Sequence, residues 1–153
     1  MGLDDYTEMK PSFDTDFTFI NSENGTPLKG NFESFISESV FNPNNDVYTN
    51  DSWHYAYKAM NNIINHNISE GTVLLLGDSY DRVTQPFLAL GIHAVDFLCL
   101  RDIDFDLRDY ILQHNYDTVI VAYAQFMLGA HDDPASANYD MYSFLPKSYV
   151  LAP

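Results

Sequence analysis

Val73-Leu74-Leu75-Leu76-Gly77-Asp78-Ser79-Tyr80 is the stretch whose reading decides the fold. Four apolar residues without a polar interruption are the pattern of a strand covered on both faces, the situation of a parallel strand inside an α/β sheet. Gly77 lets the chain turn sharply, and Asp78 offers a carboxylate to backbone N–H groups that would hold the turn. Ser79 then stands at the mouth of the sheet, ahead of a helix start whose free N–H groups favour a developing negative charge. On spacing alone, Asp78 and Ser79 serve equally well as ordinary helix caps.

Downstream of this turn the sequence keeps alternating between strand and helix patterns. Residues 82–90 read as a helix with Pro86 in its early turns, Gly91 ends it, and residues 94–100 form a second apolar strand. Residues 107–114 read as a further helix and 118–122 as a third strand. Short connections between such elements imply right-handed crossovers and a short parallel sheet. Upstream, Trp53, Tyr57, Met60, Ile63 and Ile64 recur at helical spacing behind Asp51 and Ser52, which predicts a helix over 52–65.

The first fifty residues are less regular. Phe13, Phe17 and Phe19 interleaved with Asp14, Asp16 and Thr18 predict one half-buried strand over 16–20, followed by a turn over 21–25. Residues 32–40 read as a short helix or an irregular arm with Phe32, Phe35 and Ile36 turned inward. The expected organisation is therefore an irregular arm, 1–50, packed on an α/β core, 51–153. The core ends in a polar loop and an aromatic tail, 139–150, that settles back on the sheet.

A chain of 153 residues fits one sizeable core, and 46% apolar residues with eleven Tyr and eleven Phe belong to a folded protein. Seven Lys plus Arg against twenty-two Asp plus Glu give a formal charge of −15. That field repels phosphate backbones and anionic membrane surfaces, so nucleic acid is not expected as a partner. Cys99 stands alone within Phe97-Leu98-Cys99-Leu100, which excludes an intrachain disulfide and a thiolate metal cluster and points to a buried small hydrophobe. No His, Cys and carboxylate set has metal-site spacing, and neither a P-loop nor a dinucleotide fingerprint occurs, so no metal and no cofactor are expected. The start, Met1-Gly2-Leu3-Asp4-Asp5, lacks the basic and apolar regions of a signal peptide, and no apolar run reaches eighteen residues, so the polypeptide as given reads as soluble.

Four blocks taken in order resemble a known superfamily. They are residues 73–80, Pro86-Phe87-Leu88-Ala89-Leu90, Val95-Asp96-Phe97-Leu98-Cys99-Leu100-Arg101, and Tyr116-Asp117-Thr118-Val119-Ile120-Val121-Ala122-Tyr123. Together they resemble the C-terminal part of the SGNH (GDSL-like) hydrolases, nearest to the branch of alginate O-acetyltransferase-like and DHHW proteins of bacterial envelopes. Phe13–Phe19, Gly30–Phe35 and Ile63-Ile64-Asn65-His66-Asn67 extend the likeness over most of residues 10–125. The resemblance implies an α/β three-layer sandwich of flavodoxin-like topology, present here as its C-terminal part. It also implies a serine nucleophile, Ser79, acting on acyl esters, commonly acetyl esters of polysaccharide. The implied setting is the cell envelope or the extracellular space, as part of a longer anchored protein, with a polysaccharide or a small acyl ester as partner.

The chain departs from that pattern in two places. Where the family commonly carries an Asn after the third strand, Tyr123-Ala124-Gln125 stands here, leaving Gln125 as a displaced oxyanion-hole substitute. The family's Asp-x-His motif, which lies N-terminal to the serine in this branch, is missing, so an upstream domain or a partner supplying Asp and His is expected. Within the chain, His131 with Asp132 or Asp133 lies in a loop placed to fold over Ser79, or is simply solvated. Asp51 and His54 sit three apart, as a pair or as a cap beside a surface histidine; His66, His93 and His114 read as structural or exposed. Asp78, Tyr80, Arg82, Arg101 and Tyr123 lie on the loops that would meet substrate, the aromatics as a stacking wall and the arginines as carboxylate or sugar ligands or as structural bridges. A non-catalytic glycan-binding or accessory relative using the same cleft is the alternative.

Overall fold

The computed structural model describes residues 9–21, 25, 27–35, 40–42, 47–49, 60–78, 81–100, 103–122 and 124. Within them the strands are β1 (Phe17–Asn21), β2 (Pro27–Gly30), β3 (Val40–Asn42), β4 (Val47–Thr49), β5 (Met60–Asn65), β6 (Thr72–Gly77), β7 (Ala94–Cys99) and β8 (Thr118–Val121). The helices are α1 (Phe32–Phe35), α2 (Gln85–Leu88) and α3 (Leu107–His114), with a 3-10 turn at Asp81–Thr84 leading into α2.

Six strands form one open sheet in the order β2-β1-β5-β7-β6-β8, and β3 pairs with β4 separately. The parallel part expected from the sequence is present: β6 lies between β7 and β8 and runs parallel to both, in the registers Leu75↔Phe97 and Leu75↔Ile120. The sheet is larger and more mixed than that, because β5 pairs antiparallel with β7, β1 with β5, and β2 with β1. The segment read as an arm thus supplies two hydrogen-bonded strands of the main sheet.

The helix expected over 52–65 is corrected at its C-terminal end, where Met60–Asn65 is a strand; residues 51–59 lie outside the described residues. Its pattern is a period of two, with Asn61, Ile63 and Asn65 buried and Asn62 and Ile64 half-buried. Three Asn and two β-branched Ile are poor helix formers, and strand partners on both edges outweigh the helical spacing of the apolar positions. The helix expected over 82–90 is likewise shorter. Pro86 falls in the first turn of α2, so the preceding residues take the tighter 3-10 geometry instead.

β6 explains why the core has two faces. Leu74 and Leu76 pack with Leu98, Leu100 and Leu107 under α3, while Leu75 packs with Phe97 and Cys99 toward Leu88 of α2. Each of those fully buried leucines contributes about 1.5–3 kcal/mol of transfer free energy. A third cluster joins Phe17, Phe19, Phe32, Ile63, Ala89 and Val95, fastening β1 and β5 to the α2 side. Gln85 is buried there, its amide donating to the carbonyls of Val95 and Asn61. The Asn61 carboxamide, also buried, has no hydrogen-bond partner among the described residues.

On the α3 side a polar network crosses the sheet. Asp96 of β7 accepts from the Asn62 amide and from the Tyr116 hydroxyl, and Tyr110 and His114 stack beside them with ring centroids 4.0 Å apart. Burial first, then the hydrogen bond to Asp96, push the Tyr116 phenol well above the usual tyrosine range. The folded state therefore holds that proton more tightly than the unfolded chain does. Its contribution is complete below about pH 10 and drains away as pH rises beyond.

Two substitutions test these polar groups by urea denaturation. Tyr116→Phe, which strips Asp96 of a donor, is expected to cost about 1.5 kcal/mol at pH 7; an unchanged midpoint would show the network to be ornamental. Asn61→Leu, which replaces an unsatisfied buried amide by an apolar group of similar size, is expected to raise stability by about 1 kcal/mol. A loss there would mean that the amide has a partner after all.

Candidate active site

Parallel strands of an open sheet end where ligands collect, and here that end is built around Asp78. Its side chain is fully buried, and its Oδ2 accepts a 2.8 Å hydrogen bond from the N–H of Ala124. One residue pair earlier, the N–H of Ala122 donates to the carbonyl of Leu76 at 2.8 Å, continuing the β6·β8 ladder past Val121. The carboxylate of Asp78 thus takes over where the ladder stops and joins the loop after β6 to the loop after β8.

The turn itself is closed by Asp81, a residue that spacing and composition did not single out. Its Oδ2 accepts from the Asp78 N–H at 3.0 Å, while its own N–H donates to the Asp78 carbonyl at 3.2 Å. Ser79 and Tyr80 lie between these anchors and outside the described residues. Gly77 makes the arrangement possible by close approach: a Cβ there would stand 2.6 Å from Asp81 Oδ2 and 2.7 Å from Asp81 Cβ. Thr84 Oγ1 donates to the Asp81 carbonyl at 2.6 Å and carries the chain into α2. Burial lifts the Asp81 carboxyl above its usual range; the Asp78 N–H opposes the shift and the charge of Asp78 adds to it. Ionising Asp81 therefore makes the fold less stable than with the carboxyl protonated, a difference that is absent below the ordinary carboxylate range and complete once pH has risen through the raised folded value.

The other candidate residues divide by whether the structure describes them. Asp78, expected among the substrate-binding groups, is enclosed and engaged with Ala124, so it holds the loops rather than facing a cleft. The backbone of Arg82 lies in the 3-10 turn. Arg101, Tyr123, Gln125, His131 and Asp132 lie outside the described residues, as do Asp51 and His54.

Three described histidines sit elsewhere. Nε2 of His66 is 2.7 Å from Thr18 Oγ1 and Nδ1 of His93 is 2.7 Å from the carbonyl of Ile68, while Nδ1 of His114 is 2.8 Å from that of Tyr110. His66 follows β5, His93 precedes β7, and His114 ends the helix before β8, so all three stand at the end of the sheet opposite Asp78. Among the described residues no three His, Cys, Asp or Glu side chains gather as a metal site, and no helix is long and apolar enough to cross a membrane.

Known proteins share this fold. Bacillus cereus PatB1 carrying a sulfonyl adduct superposes on 87% of the chain at 21% identity and a TM-score of 0.55, and PatB1 in another structure on 76% at 23% identity and 0.52. A DHHW family protein from Eubacterium siraeum superposes on 89% of the chain at 14% identity and 0.58. This chain spans 40%, 37% and 42% of those three, so it corresponds to about two fifths of their length. No family model and no curated protein sequence matches the chain.

The close packing of Gly77 on Asp81 yields a non-additive prediction. Gly77→Ala is expected to cost about 1–3 kcal/mol by overpacking, and Asp81→Ala about 1 kcal/mol through the lost backbone acceptor. The double variant should be more stable than the sum of the two, because removing the Asp81 carboxylate takes away much of what the new methyl strikes. Simple additivity in urea melts would place the two residues apart.

Proposed function

We propose that the chain carries the nucleophile of an SGNH-type serine esterase or O-acetyltransferase acting on acyl esters, chiefly acetyl esters, of cell-envelope polysaccharide. The observation that carries this reading is the coincidence of two things. The strand and turn that lead into Ser79 end at the ligand-collecting edge of the sheet, and the same fold occurs in a PatB1 structure that holds a sulfonyl adduct. Sulfonyl reagents trap activated nucleophiles, and a serine on a tight turn is the nucleophile this sequence offers there. In this reading Ser79 Oγ attacks the ester carbonyl and takes the acyl group as the alcohol leaves. Water or a sugar hydroxyl then accepts the acyl group from the serine, giving hydrolysis or transfer.

Such a serine needs a base within hydrogen-bond reach. None of the described imidazoles stands at that end of the sheet. The base is therefore assigned to residues outside those described, either His131 with Asp132 or an Asp and His from an upstream domain or partner. The absence of a described imidazole near the turn equally favours a second reading, in which a non-catalytic relative binds glycan in the same cleft.

Mass spectrometry after treatment with phenylmethylsulfonyl fluoride separates these readings. The enzyme reading expects one adduct, on Ser79, missing from Ser79→Ala; modification confined to tyrosines would sink it. With p-nitrophenyl acetate, residues 1–153 alone are expected to turn over no more than severalfold above Ser79→Ala, for want of a placed base. Fast turnover lost in both Ser79→Ala and His131→Ala would instead assign the base to His131.

A further inference from the structure

The segment that enters β1 and the start of α1 enclose a polar cavity of about 520 Å³, within the range of about 300–1,000 Å³ usual for small-molecule sites. Its walls are tied down on both sides. Thr15 Oγ1 accepts the Phe32 N–H at 2.7 Å and joins the two segments to each other. Asn67 Nδ2 donates to the Asp14 carbonyl at 3.0 Å, and the His66 N–H donates to the Asp16 carbonyl at 2.8 Å. Phe32 is buried and meets the Phe87 ring edge-on, with centroids 5.0 Å apart, which anchors that wall in the core. Walls held in this way need little further ordering when a ligand enters.

The lining is mixed in a way that selects its ligand. Ser12 and Asn31 are of types that both donate and accept hydrogen bonds, Asp14 and Glu33 accept, and Lys10 brings an ammonium to 3.8 Å from Glu33 Oε1. Beside these polar groups the Phe13 ring is 57% exposed. A sugar ring calls for that combination, because each hydroxyl is at once donor and acceptor while the C–H faces pack on an aromatic ring. A lipid or acyl chain would leave the polar groups desolvated and unpaired. Asp14 and Glu33, on a chain of formal charge −15, repel uronates and phosphorylated sugars. We infer that the cavity between residues 11–15 and 31–33 is a binding subsite for an uncharged stretch of polysaccharide. It lies at the end of the sheet where Phe17 pairs with Asn65, separated from the Asp78 end by the length of six-residue β6, about 20 Å. The subsite goes beyond the acyl-transfer reading and does not depend on Ser79 being a nucleophile.

Titrating the isotope-labelled full chain with cellotetraose and with N-acetylchitotetraose tests this by NMR. At least one of the two is expected to bind saturably and to shift the amides of residues 12–15 and 31–33, whereas a galacturonate tetramer at the same concentration does not. Phe13→Ala alters an exposed ring outside the core clusters and is expected to weaken binding at least tenfold, with the amide spectrum of β5 to β7 unchanged. Ser79→Ala is expected to bind as the wild type does, so failure of the serine chemistry and failure of this subsite are read separately. No saturable binding of either neutral sugar would overturn the inference, as would equal binding of the galacturonate tetramer. Binding that survives Phe13→Ala undiminished, or that shifts only amides around Asp78, would overturn it too and place the sugar at the other end of the sheet.

Discussion

A strand with hydrogen-bonded neighbours on both edges and packed side chains on both faces leaves its polar groups no exit except at its ends. β6 is under that constraint, with β7 and β8 beside it, α3 over Leu74 and Leu76, and Leu88 of α2 near Leu75. Its polar chemistry is therefore concentrated in the residues just past Gly77, where Asp78 and Asp81 tie the chain to itself and to the loop after β8. The cost of burying the Asp78 carboxylate is offset by hydrogen bonding that includes the Ala124 N–H, and the loop after β8 is held in place by the same contact. Position and rigidity at this end of the sheet are two consequences of one packing requirement.

This concentration also separates two regions of the molecule chemically. Among the described residues at the Asp78 end, carboxylates and backbone amides dominate, and a Cβ at residue 77 would press on the Asp81 side chain at 2.6 Å. At the opposite end, His66 and His93 are spent on a threonine hydroxyl and a loop carbonyl, and His114 on the carbonyl of Tyr110 within α3. An imidazole held in that way is a structural donor or acceptor, whatever its accessibility. The proposed chemistry accordingly depends on groups brought to the Asp78 end from outside the described residues.

Much of the frame was legible in residue order. The uninterrupted apolar run at 73–76, the short helix over 107–114 and the apolar pattern at 94–100 were each read locally, and the elements form within a residue or two of expectation. The failures share a cause as well. Met60–Asn65 has apolar positions compatible with either period, and only its partners β1 and β7 select the extended form. Pro27–Gly30 has no strand signature of its own and exists because β1 offers it an edge. Asp81 escaped notice because its role depends on the close approach of Gly77, a distance that composition does not encode.

The sequence by itself determined that a doubly buried strand ends at Gly77, because the hydrophobic period and the glycine are local properties. The strand order, the antiparallel half of the sheet and the burial of Asp78 against Ala124 were decided only by tertiary structure. The β1·β5 pairing and the Asp78–Ala124 contact join residues 40 and more positions apart, and which of several chemically equivalent acceptors meets a given N–H is settled by packing rather than by residue type.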